Sequence, residues 1–571
     1  MSPPPDPRSQ ARLAVQREPS SAMAWTALAD TEFDAGDAAA GLRAARRALQ
    51  LAPGHPEPLA RLGRGQWMQG KLAEAAASLG EAARRAPRHP GIAVWLAHVL
   101  EDTGDAEAAS DCYARAHALL PGHPQIAAYL LAWRRRLCDW RGLDALGHQV
   151  RSAVRAGQAA VEPFAFLSED STAAEQLACA RLRASAVAAR VRPLPPPGPG
   201  AGGPLRLGFM SNGFGAHPTG LLTVAFFEAL ATHADMEIHL FALNRPDGSA
   251  VGQRLQHAVA RWHDVGALPS SEIAGRIRSA AVDVLFDLRG WGGGGRPEVL
   301  AMRPAPLLVN WLAYPGTSGA PWIDCILADD VVLPEALEPH FSEAVVRLPR
   351  CFQPSDTRRA IPPAPARKDC GLPAHGVVFC CFNNSYKLNP ASFSRHMAVL
   401  RQVPGSVLWL LSGPGDADRR LRTAAAETGV DPDRLVFMPK QPQAEYLARL
   451  QLADLFLDCN PYNAHTTASD ALWAGCPVLT RPGQTFAGRV AASLNHHLGL
   501  DDMNVATDEQ FVERAVALGN DPAALAALRR RVGRQRDESG LFDMEGFAAD
   551  FRDVVLRLQR ESAAGRGSAS G

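Results

Sequence analysis

Four prolines in the first 140 residues stand 34 residues apart, at Pro19, Pro53, Pro87 and Pro121. Glycine, leucine and alanine keep the same period at other offsets. These positions are Gly36, Gly70 and Gly104, Leu28, Leu62 and Leu96, and Ala48, Ala82 and Ala116. A glycine ends one helix, a small alanine lets two helices approach, and a proline ends the second helix. One such unit cannot bury its apolar stripe alone, so the period predicts stacked helix pairs with a concave face.

The 34-residue period, with its small residues and late proline, resembles the tetratricopeptide repeat. We therefore expect an all-α tetratricopeptide-repeat superhelix over residues 1–137. Residues 138–191 keep a helical pattern without the period, and we interpret them as a helical cap that closes the superhelix. The Pro/Gly-rich segment 192–204 is predicted to be a linker, and residues 561–571 a disordered tail.

From Leu205 the pattern changes to short apolar runs separated by helical stretches. The candidate strands are 205–210, 237–243, 283–288, 307–312 and 325–329, then 377–382, 406–411, 434–439, 454–459 and 477–480. Continuous apolar strands that alternate with helices predict parallel sheets covered on both faces. We expect an α/β unit of two doubly wound, Rossmann-like lobes at 205–373 and 374–560. Ligands would then bind between the carboxyl ends of the strands.

The charge and cysteine content exclude several classes of protein. Equal numbers of basic and acidic residues, 59 of each, disfavour a nucleic-acid or anionic-membrane partner. The ten cysteines form no CxxC pair, and adjacent Cys380 and Cys381 lie in an apolar run typical of buried thiols. The N-terminus has no apolar signal segment, and no apolar run reaches about 18 residues. We expect a cytoplasmic protein without a metal site.

The first lobe offers two candidate segments. SNGFGAHPTG, at 211–220, follows the first strand and places His217 near the expected cleft. The alternative is an ordinary strand–helix turn with a solvated histidine. In RGWGGGGRPEVLAMRPAP, at 289–306, four consecutive glycines precede Arg296, which could meet a phosphate or an acceptor. The alternative is a flexible loop tip.

The second lobe offers the more informative segments. CCFNNSYKLNP, at 380–390, places Lys387 after a strand, where a mobile cation suits a diphosphate. AHTTASD, at 464–470, predicts a helix N-terminus at which Thr466 and Thr467 offer hydroxyls and unpaired N–H groups to an anion. Asp470 lies one turn on, placed to accept from ribose hydroxyls. The alternatives are a solvated lysine and a plain capped helix.

These motifs, in this order, resemble the O-linked N-acetylglucosamine transferases. The resemblance rests on the repeats and on HPTG, GGGGRPEVLAMRPAPLLVNWLAYPGTSG, FNNSYKLNP, SVLWLL and HTTASDALWAGCPVLT. It covers nearly the whole chain and implies the GT-B fold. It also implies UDP-N-acetylglucosamine as the donor substrate, inversion at the anomeric carbon and Ser/Thr hydroxyls of proteins as acceptors. No metal and no other cofactor is implied.

The resemblance also implies roles for individual residues. Lys387 matches the lysine that binds the diphosphate, Tyr386 its neighbour at the sugar, and His217 a histidine that lines the acceptor and sugar site. These three are the catalytic candidates. The implied nucleotide-sugar residues are Asn384, Lys387, Gln441, Gln443, Tyr446, His465, Thr466, Thr467 and Asp470. The implied sugar and acceptor pocket comprises Arg296, Leu312, Pro315, Gly316 and Tyr462.

Several departures from the family keep alternatives open. Gln443 and Tyr446 stand where the family has a lysine and a histidine around the nucleobase, and Gly213 stands at the position of an aspartate. No asparagine precedes Asn212, so the family's asparagine ladder is missing. These features indicate a bacterial relative that binds a UDP-sugar and a protein or peptide acceptor along the repeat or cleft surface. The alternatives are a protein fucosyl- or glucosyltransferase using GDP-fucose or UDP-glucose, and an inactive repeat scaffold.

Overall fold

The computed structural model describes residues 6–158, 161–196 and 202–569, with side chains to residue 562. The chain divides into two compact units. One comprises residues 1–150 with 413–417, and the other comprises 151–412 with 418–571. None of the described helices is long and apolar enough to cross a membrane.

The first unit is built from helices that pack against their neighbours in sequence from α1 to α8. The helices are α1 (Pro7–Arg17), α2 (Ala22–Asp34), α3 (Ala38–Leu51), α4 (Pro56–Met68), α5 (Leu72–Arg85), α6 (Pro90–Thr103), α7 (Ala106–Leu119), α8 (Pro124–Arg136) and α9 (Leu143–Arg155). The second helix of each pair, α3, α5 or α7, ends two residues before a periodic proline, as the sequence predicts.

The other periodic residues also occupy the positions that their chemistry suits. Gly36, Gly70 and Gly104 follow the first helix of each pair with φ of +81°, +73° and +84°, a left-handed conformation that favours glycine. Ala48, Ala82 and Ala116 are fully buried between helices. A larger side chain at these alanines would push the helices apart.

The second unit contains two parallel sheets with helices on their faces. The first comprises β1 (Leu205–Ser211), β2 (Met236–Ala242), β3 (Arg261–Asp264), β4 (Val284–Asp287), β5 (Leu307–Asn310), β6 (Cys325–Ala328) and β7 (Ala344–Arg347), in the order β3-β2-β1-β4-β5-β6-β7. Its helices are α12 (Pro218–Leu230), α13 (Ala250–Ala258), α14 (Ser270–Ser279) and α15 (Pro297–Ala301). The predicted strands of this lobe are all present, and the short edge strands β3 and β7 are additional.

The second sheet has five strands in the order β10-β9-β8-β11-β12. They are β8 (Val378–Cys381), β9 (Val407–Leu411), β10 (Leu435–Met438), β11 (Leu455–Leu457) and β12 (Val478–Leu479). The helices of this lobe are α16 (Pro390–Gln402), α17 (Ala417–Glu427), α18 (Gln443–Leu450), α19 (Thr466–Trp473), α20 (Val490–His497), α21 (Asp508–Asn520) and α22 (Pro522–Glu538). All five predicted strands are present.

Most of the segment 138–191, which was predicted to cap the repeats, packs with the two lobes instead. Residues 151–191 belong to the second unit, where they form α10 (Pro163–Phe166) and α11 (Ala173–Ala188). Ala184 and Val187 share a buried core with Leu285 and Leu308 of the first sheet. The apolar face of α11 therefore covers this sheet rather than the end of the repeats.

The structure also differs from the prediction in the C-terminal segment and adds a contact in the linker. The final helix, α23 (Met544–Ala569), continues through most of the segment that was predicted to be disordered. Residues 570–571 lie outside the described part. In the predicted linker, the Leu194 amide donates to the Met302 carbonyl at 2.8 Å. Residues 197–201 of the linker lie outside the described residues.

Candidate active site

A cavity of about 290 Å³ lies where the carboxyl ends of strands from both sheets meet. Nine of the predicted site residues line it: His217, Leu312, Asn384, Tyr386, Lys387, Tyr462, His465, Thr466 and Thr467. The lining is completed by Phe164, Pro218, Thr219, Leu222, Arg289, Ala313, Gln353 and Asn383. The lining therefore holds two cations, Lys387 and Arg289, and no carboxylate, which favours an anionic ligand.

Lys387 is a buried cation at the wall of the cavity, in a short turn that follows β8. Its Nζ donates to the Asn463 carbonyl at 2.6 Å and lies 3.8 Å from the centre of the Tyr462 ring. Burial lowers the pKa of Lys387 to about 8, and the nearby Asp458 carboxylate opposes this shift. The side chain is thus held in one place and is still mostly protonated at pH 7, as a diphosphate-binding group requires.

The N-terminus of α19 opens onto the same cavity. Its cap residue, His465, forms no side-chain capping bond, and the Thr466 and Thr467 amides have no hydrogen-bond partner among the described residues, so these two amides can bind an anion. The Thr467 hydroxyl donates to Asn383 Oδ1 at 3.0 Å. Burial, with Lys387 adding to it, holds the pKa of His465 well below its usual range. His465 is therefore neutral, with Nε2 directed at the Ala487 carbonyl at 3.0 Å.

Asp470 lies one turn further along α19, where protein partners hold its carboxylate. Arg359 Nη1 donates to Oδ1 at 2.5 Å, and Gln443 Nε2 lies 3.4 Å from both carboxylate oxygens. Burial raises the pKa of Asp470, and the Arg359 guanidinium opposes this shift. Asp470 does not line the cavity. Its carboxylate would have to accept from a ribose hydroxyl while it also accepts from Arg359. The ribose role stays a prediction.

The remaining predicted nucleotide-sugar residues, Gln441, Gln443 and Tyr446, lie in or just before α18, where Gln443 contacts Asp470. Gln441 Nε2 donates to the Pro439 carbonyl at 3.1 Å. The Tyr446 ring packs edge-on against Phe382, with ring centres 5.8 Å apart, and its buried hydroxyl has no hydrogen-bond partner in the described part of the chain. None of these three side chains lines the cavity.

His217 caps the N-terminus of α12 and also lines the cavity. Its Nδ1 accepts the Thr219 amide at 3.2 Å, which places the proton of the neutral ring on Nε2. Burial lowers the pKa of His217 to about 4, with a contribution from Arg289. A Cβ at Gly213 would lie 2.4 Å from His217 Nδ1, so a side chain at the family's aspartate position cannot coexist with this ring position.

The predicted acceptor pocket is only partly assembled at the cavity. Leu312 lines it in a left-handed conformation, with φ of +78°, that a leucine rarely adopts. Pro315 and Gly316 do not line it, and the Gly316 carbonyl accepts from Asn310 Nδ2 at 3.1 Å. Arg296 also lies outside the lining and donates to the Gly266 carbonyl at 3.3 Å. The arginine that reaches the cavity from this loop is Arg289.

The profile of the Glycosyl transferase family 41 matches residues 198–364 and 363–551, which make up more than half of the chain. The chain belongs to glycosyl transferase family 41. A tetratricopeptide-repeat profile matches residues 66–133 in front of this region. The predicted family and its repeats are confirmed.

Named relatives of this family 41 protein agree with that assignment. One is a probable UDP-N-acetylglucosamine–peptide N-acetylglucosaminyltransferase, SEC, of Arabidopsis thaliana, 37% identical over 346 residues, or 59% of this chain and 35% of the relative. Another is the UDP-N-acetylglucosamine–peptide N-acetylglucosaminyltransferase of Caenorhabditis elegans, 27% identical over 474 residues, or 63% of this chain and 41% of the relative. The chain thus spans less than half the length of these relatives.

A solved structure similar to this family 41 protein is a mutant O-GlcNAc transferase of Thermobaculum terrenum. It is 27% identical, with a TM-score of 0.68, and the match covers 96% of this chain and 99% of that one. The predicted fold class is therefore confirmed: a GT-B unit of two Rossmann-like lobes, preceded by tetratricopeptide-repeat helices.

Eight residues that line the family 41 cavity, among them Arg289, Gln353 and Asn383, were not predicted as site residues. Gln353 comes from the segment that joins the lobes, is 3% exposed, and has an Nε2 atom with no partner among the described residues. Asn383 Nδ2 donates to Asp458 Oδ1 at 3.2 Å and links the ends of β8 and β11. Asn383 stands beside the predicted Asn384, whereas no local pattern marks Gln353.

Asp329, Cys351 and His497 bring three potential metal ligands together in the described part of this family 41 protein. Asp329 already accepts the amides of Val331 and Val332 at 2.9 and 2.7 Å and the Ser493 hydroxyl at 2.6 Å. His497 Nδ1 faces the Ser493 carbonyl at 2.9 Å. None of the three side chains lines the cavity, whereas Lys387 and its neighbours do.

Proposed function

We propose that this protein transfers N-acetylglucosamine from UDP-N-acetylglucosamine to a serine or threonine hydroxyl of a protein acceptor. The transfer inverts the anomeric carbon and needs no metal ion. The observation that carries the proposal is Lys387, a buried cation fixed by Asn463 and Tyr462 in a cavity that the α19 N-terminus also enters. The names of the relatives, which specify this donor and a peptide acceptor, support it.

In the proposed reaction the acceptor oxygen attacks the anomeric carbon on the face opposite the diphosphate. The bond from that carbon to the β-phosphate oxygen breaks, and UDP leaves with the electron pair. Negative charge builds on the phosphate oxygens as the bond breaks. Lys387 and the amides of Thr466 and Thr467 stabilise that charge more in the transition state than in the ground state.

His217 contributes as a hydrogen-bond donor in this proposal. Its Nδ1 is engaged by the Thr219 amide, so its Nε2–H is the group available to a sugar or acceptor oxygen. A neutral imidazole with a pKa of about 4 is a weak base. The proton of the acceptor hydroxyl therefore leaves to water or to a phosphate oxygen, and His217 positions the reacting groups.

Metal independence is part of the proposal and is supported by the lining of the cavity. Lys387 and the N-terminus of α19 supply positive charge to the diphosphate region. No aspartate or glutamate lines the cavity, whereas Mg²⁺ bound at a nucleotide site is usually held by one or two carboxylates.

The donor alternatives remain open because of two substitutions near the nucleobase region. Gln443 contacts Asp470, and the Tyr446 hydroxyl is buried without a partner among the described residues. A guanine or a different sugar would meet the same side chains. GDP-fucose and UDP-glucose are therefore tested beside UDP-N-acetylglucosamine.

Calorimetric titration with UDP, GDP and their sugar conjugates tests the proposal. We expect UDP and UDP-N-acetylglucosamine to bind, with affinities that EDTA does not change. Loss of binding in EDTA would refute metal independence, and tighter binding of GDP would favour the fucosyl alternative. A protein that binds none of these nucleotides would be the inactive scaffold.

The acceptor and the cellular location also belong to the proposal. A protein or peptide acceptor, bound along the repeats or the cleft, follows from the names of the relatives. All ten cysteines are free thiols, the usual state in a reducing compartment, which supports the cytoplasm.

A further inference from the structure

Arg289 forms no ion pair with a carboxylate of the described residues, although the buried Asp287 carboxylate lies near enough to favour its charge. It follows β4, and its Nε donates to the Gly293 carbonyl at 2.7 Å. The nearest acid in sequence, Asp287, accepts the amides of Arg289 and Gly290 at 2.9 and 3.0 Å and so holds the turn. Neither Nη1 nor Nη2 of Arg289 forms a hydrogen bond or an ion pair within the described part of the protein.

The guanidinium of Arg289 belongs to the cavity. Arg289 lines it together with His217 from the first lobe, while Lys387 and Thr467 line it from the second lobe. Burial lowers the pKa of Arg289, although a guanidinium stays charged throughout the physiological range. A half-buried cation without an ion-pair partner raises the free energy of the folded protein, so the site favours a ligand that carries a negative charge.

The donor does not supply a suitable anion on this side. The only charges of a UDP-sugar are on its diphosphate, which in the proposed function is bound by Lys387 and the α19 amides of the second lobe. The transferred N-acetylglucosamine is neutral. An anion beside His217, where the acceptor hydroxyl is expected, therefore has to come from the acceptor.

We propose that Arg289 selects acceptors in which an acidic side chain lies next to the serine or threonine to be modified. The inference rests on the proposed function. The two free Nη groups form a fork that can donate two parallel hydrogen bonds to one carboxylate. Such a charge-assisted pair in a partly desolvated site gives both affinity and register.

The test uses a set of peptides that are identical except for the residue next to the acceptor threonine, which is aspartate, asparagine or lysine. We expect the wild-type protein to show a kcat/KM for the aspartate peptide about tenfold or more above that for the lysine peptide. Arg289→Gln should abolish this preference, Arg289→Lys should weaken it, and Arg289→Glu should reverse it toward the lysine peptide. UDP affinity, measured by calorimetry, should stay within about twofold in Arg289→Gln.

Arg261→Gln serves as the control, because Arg261 is exposed on edge strand β3 of the same lobe. It should keep both the peptide preference and the UDP affinity of the wild type. Weaker UDP binding in Arg289→Gln with an unchanged peptide preference would overturn the inference and make Arg289 a second diphosphate cation.

The remaining outcomes separate this inference from the proposed function. A wild-type protein that modifies the three peptides equally overturns the inference alone. A wild-type protein that binds UDP but modifies none of them overturns the peptide-acceptor part of the proposed function together with the inference. A wild-type protein that does not bind UDP overturns the proposed function at its first step.

Discussion

Lys387 is a buried positive charge, which destabilises the folded protein but can strengthen the binding of an anionic ligand. Its pKa of about 8 lies below its usual value of 10.5, so the protonated lysine is disfavoured in the folded protein. We predict that Lys387→Met lowers turnover about 10²–10³-fold, the usual cost of losing one transition-state contact. The melting temperature of the ligand-free protein should rise at pH 7, because the substitution removes a buried charge.

The same pKa fixes the pH dependence of nucleotide binding. In the proposed function UDP binds the protonated lysine, so its affinity should fall as the pH rises through about 8 in the wild type and should not do so in Lys387→Met. Lys368→Met, at an exposed lysine of the same unit, is the matched control and should change neither turnover nor this profile. Near-normal turnover of Lys387→Met would make Lys387 an ordinary structural residue.

His217 has two roles that substitutions can separate: it caps α12 and it faces the cavity. Asparagine is a good helix cap that also carries an N–H donor, whereas alanine offers neither. We predict that His217→Asn keeps clearly more activity than His217→Ala. Because the pKa of about 4 lies below the working range, His217→Asn should leave the pH–rate profile unchanged between about pH 5 and 8. An acid limb that is present in the wild type and lost in His217→Asn would establish a base role instead.

Gln353 presents a carboxamide that lacks a partner for its nitrogen in the ligand-free protein. A half-turn about its last torsion exchanges nitrogen and oxygen, so the group can offer a donor or an acceptor to a ligand in the cavity. A buried unsatisfied donor costs about 1–3 kcal/mol. We predict that Gln353→Met raises the melting temperature of the ligand-free protein and weakens UDP-N-acetylglucosamine binding about tenfold, as measured by thermal melting and calorimetry.

Gln176 provides the matched control for Gln353. It is buried to a similar extent, but its Nε2 donates to the Ser171 hydroxyl at 3.3 Å, away from the cavity lining. Gln176→Met should lower the melting temperature and leave nucleotide binding intact. If both variants lower stability and neither alters binding, Gln353 is a packing residue.

The site residues that the sequence revealed share a local signature. Lys387, Thr466 and Thr467 each follow a predicted strand within a few residues, and the carboxyl ends of parallel strands converge at one edge of the sheet. Gln353 follows β7 by six residues, but this edge strand was not predicted, so no predicted strand end marked Gln353. The partners of Asp470 were not predictable for a similar reason, because Arg359 also comes from the segment that joins the lobes.

At the scale of elements, α23 packs into the core of the first lobe although it follows the second lobe in sequence. Phe551 is fully buried and lies 4.8 Å from Phe226 and 5.1 Å from Trp311 between ring centres. We predict that Phe551→Ala lowers the free energy of unfolding by about 3–5 kcal/mol. Arg560→Ala, at an exposed position of the same helix, should stay within about 0.5 kcal/mol. Denaturant unfolding measures both variants, and equal effects would show that α23 contributes little to the core of the lobe.

The strands that were predictable and those that were not differ in their surroundings. All ten predicted strands are mostly apolar runs, as expected where helices bury both faces of a sheet. The two missed strands, β3 with the sequence RWHD and β7 with AVVR, form the edges of the first sheet. Edge strands are short and partly exposed, so their pattern carries little signal, and their pairing depends on a neighbour that is distant in sequence. The same applies to α11, whose partner sheet begins after the linker.

At the scale of the whole molecule, the cavity belongs to one of the two compact units and the repeats belong to the other. Every residue that lines the cavity belongs to the second unit, from Phe164 in α10 to Thr467 in α19. The repeats contribute no side chain to that lining, so we expect them to bind the acceptor rather than the nucleotide. A cut after residue 137 falls between α8 and α9 and leaves every lining residue in place.

We therefore predict that deletion of residues 1–137 leaves UDP affinity within a few-fold of the wild type and strongly impairs transfer to protein acceptors. The physical reason is that a nucleotide makes its contacts inside the cavity, whereas an extended acceptor can also bind the helical repeats. Calorimetry with UDP and transfer assays with a short peptide and a folded protein distinguish the two effects. A short peptide should lose less activity than the folded protein, because it has fewer contacts outside the cavity. Equal loss of UDP binding and transfer would show instead that the second unit needs the repeats in order to fold.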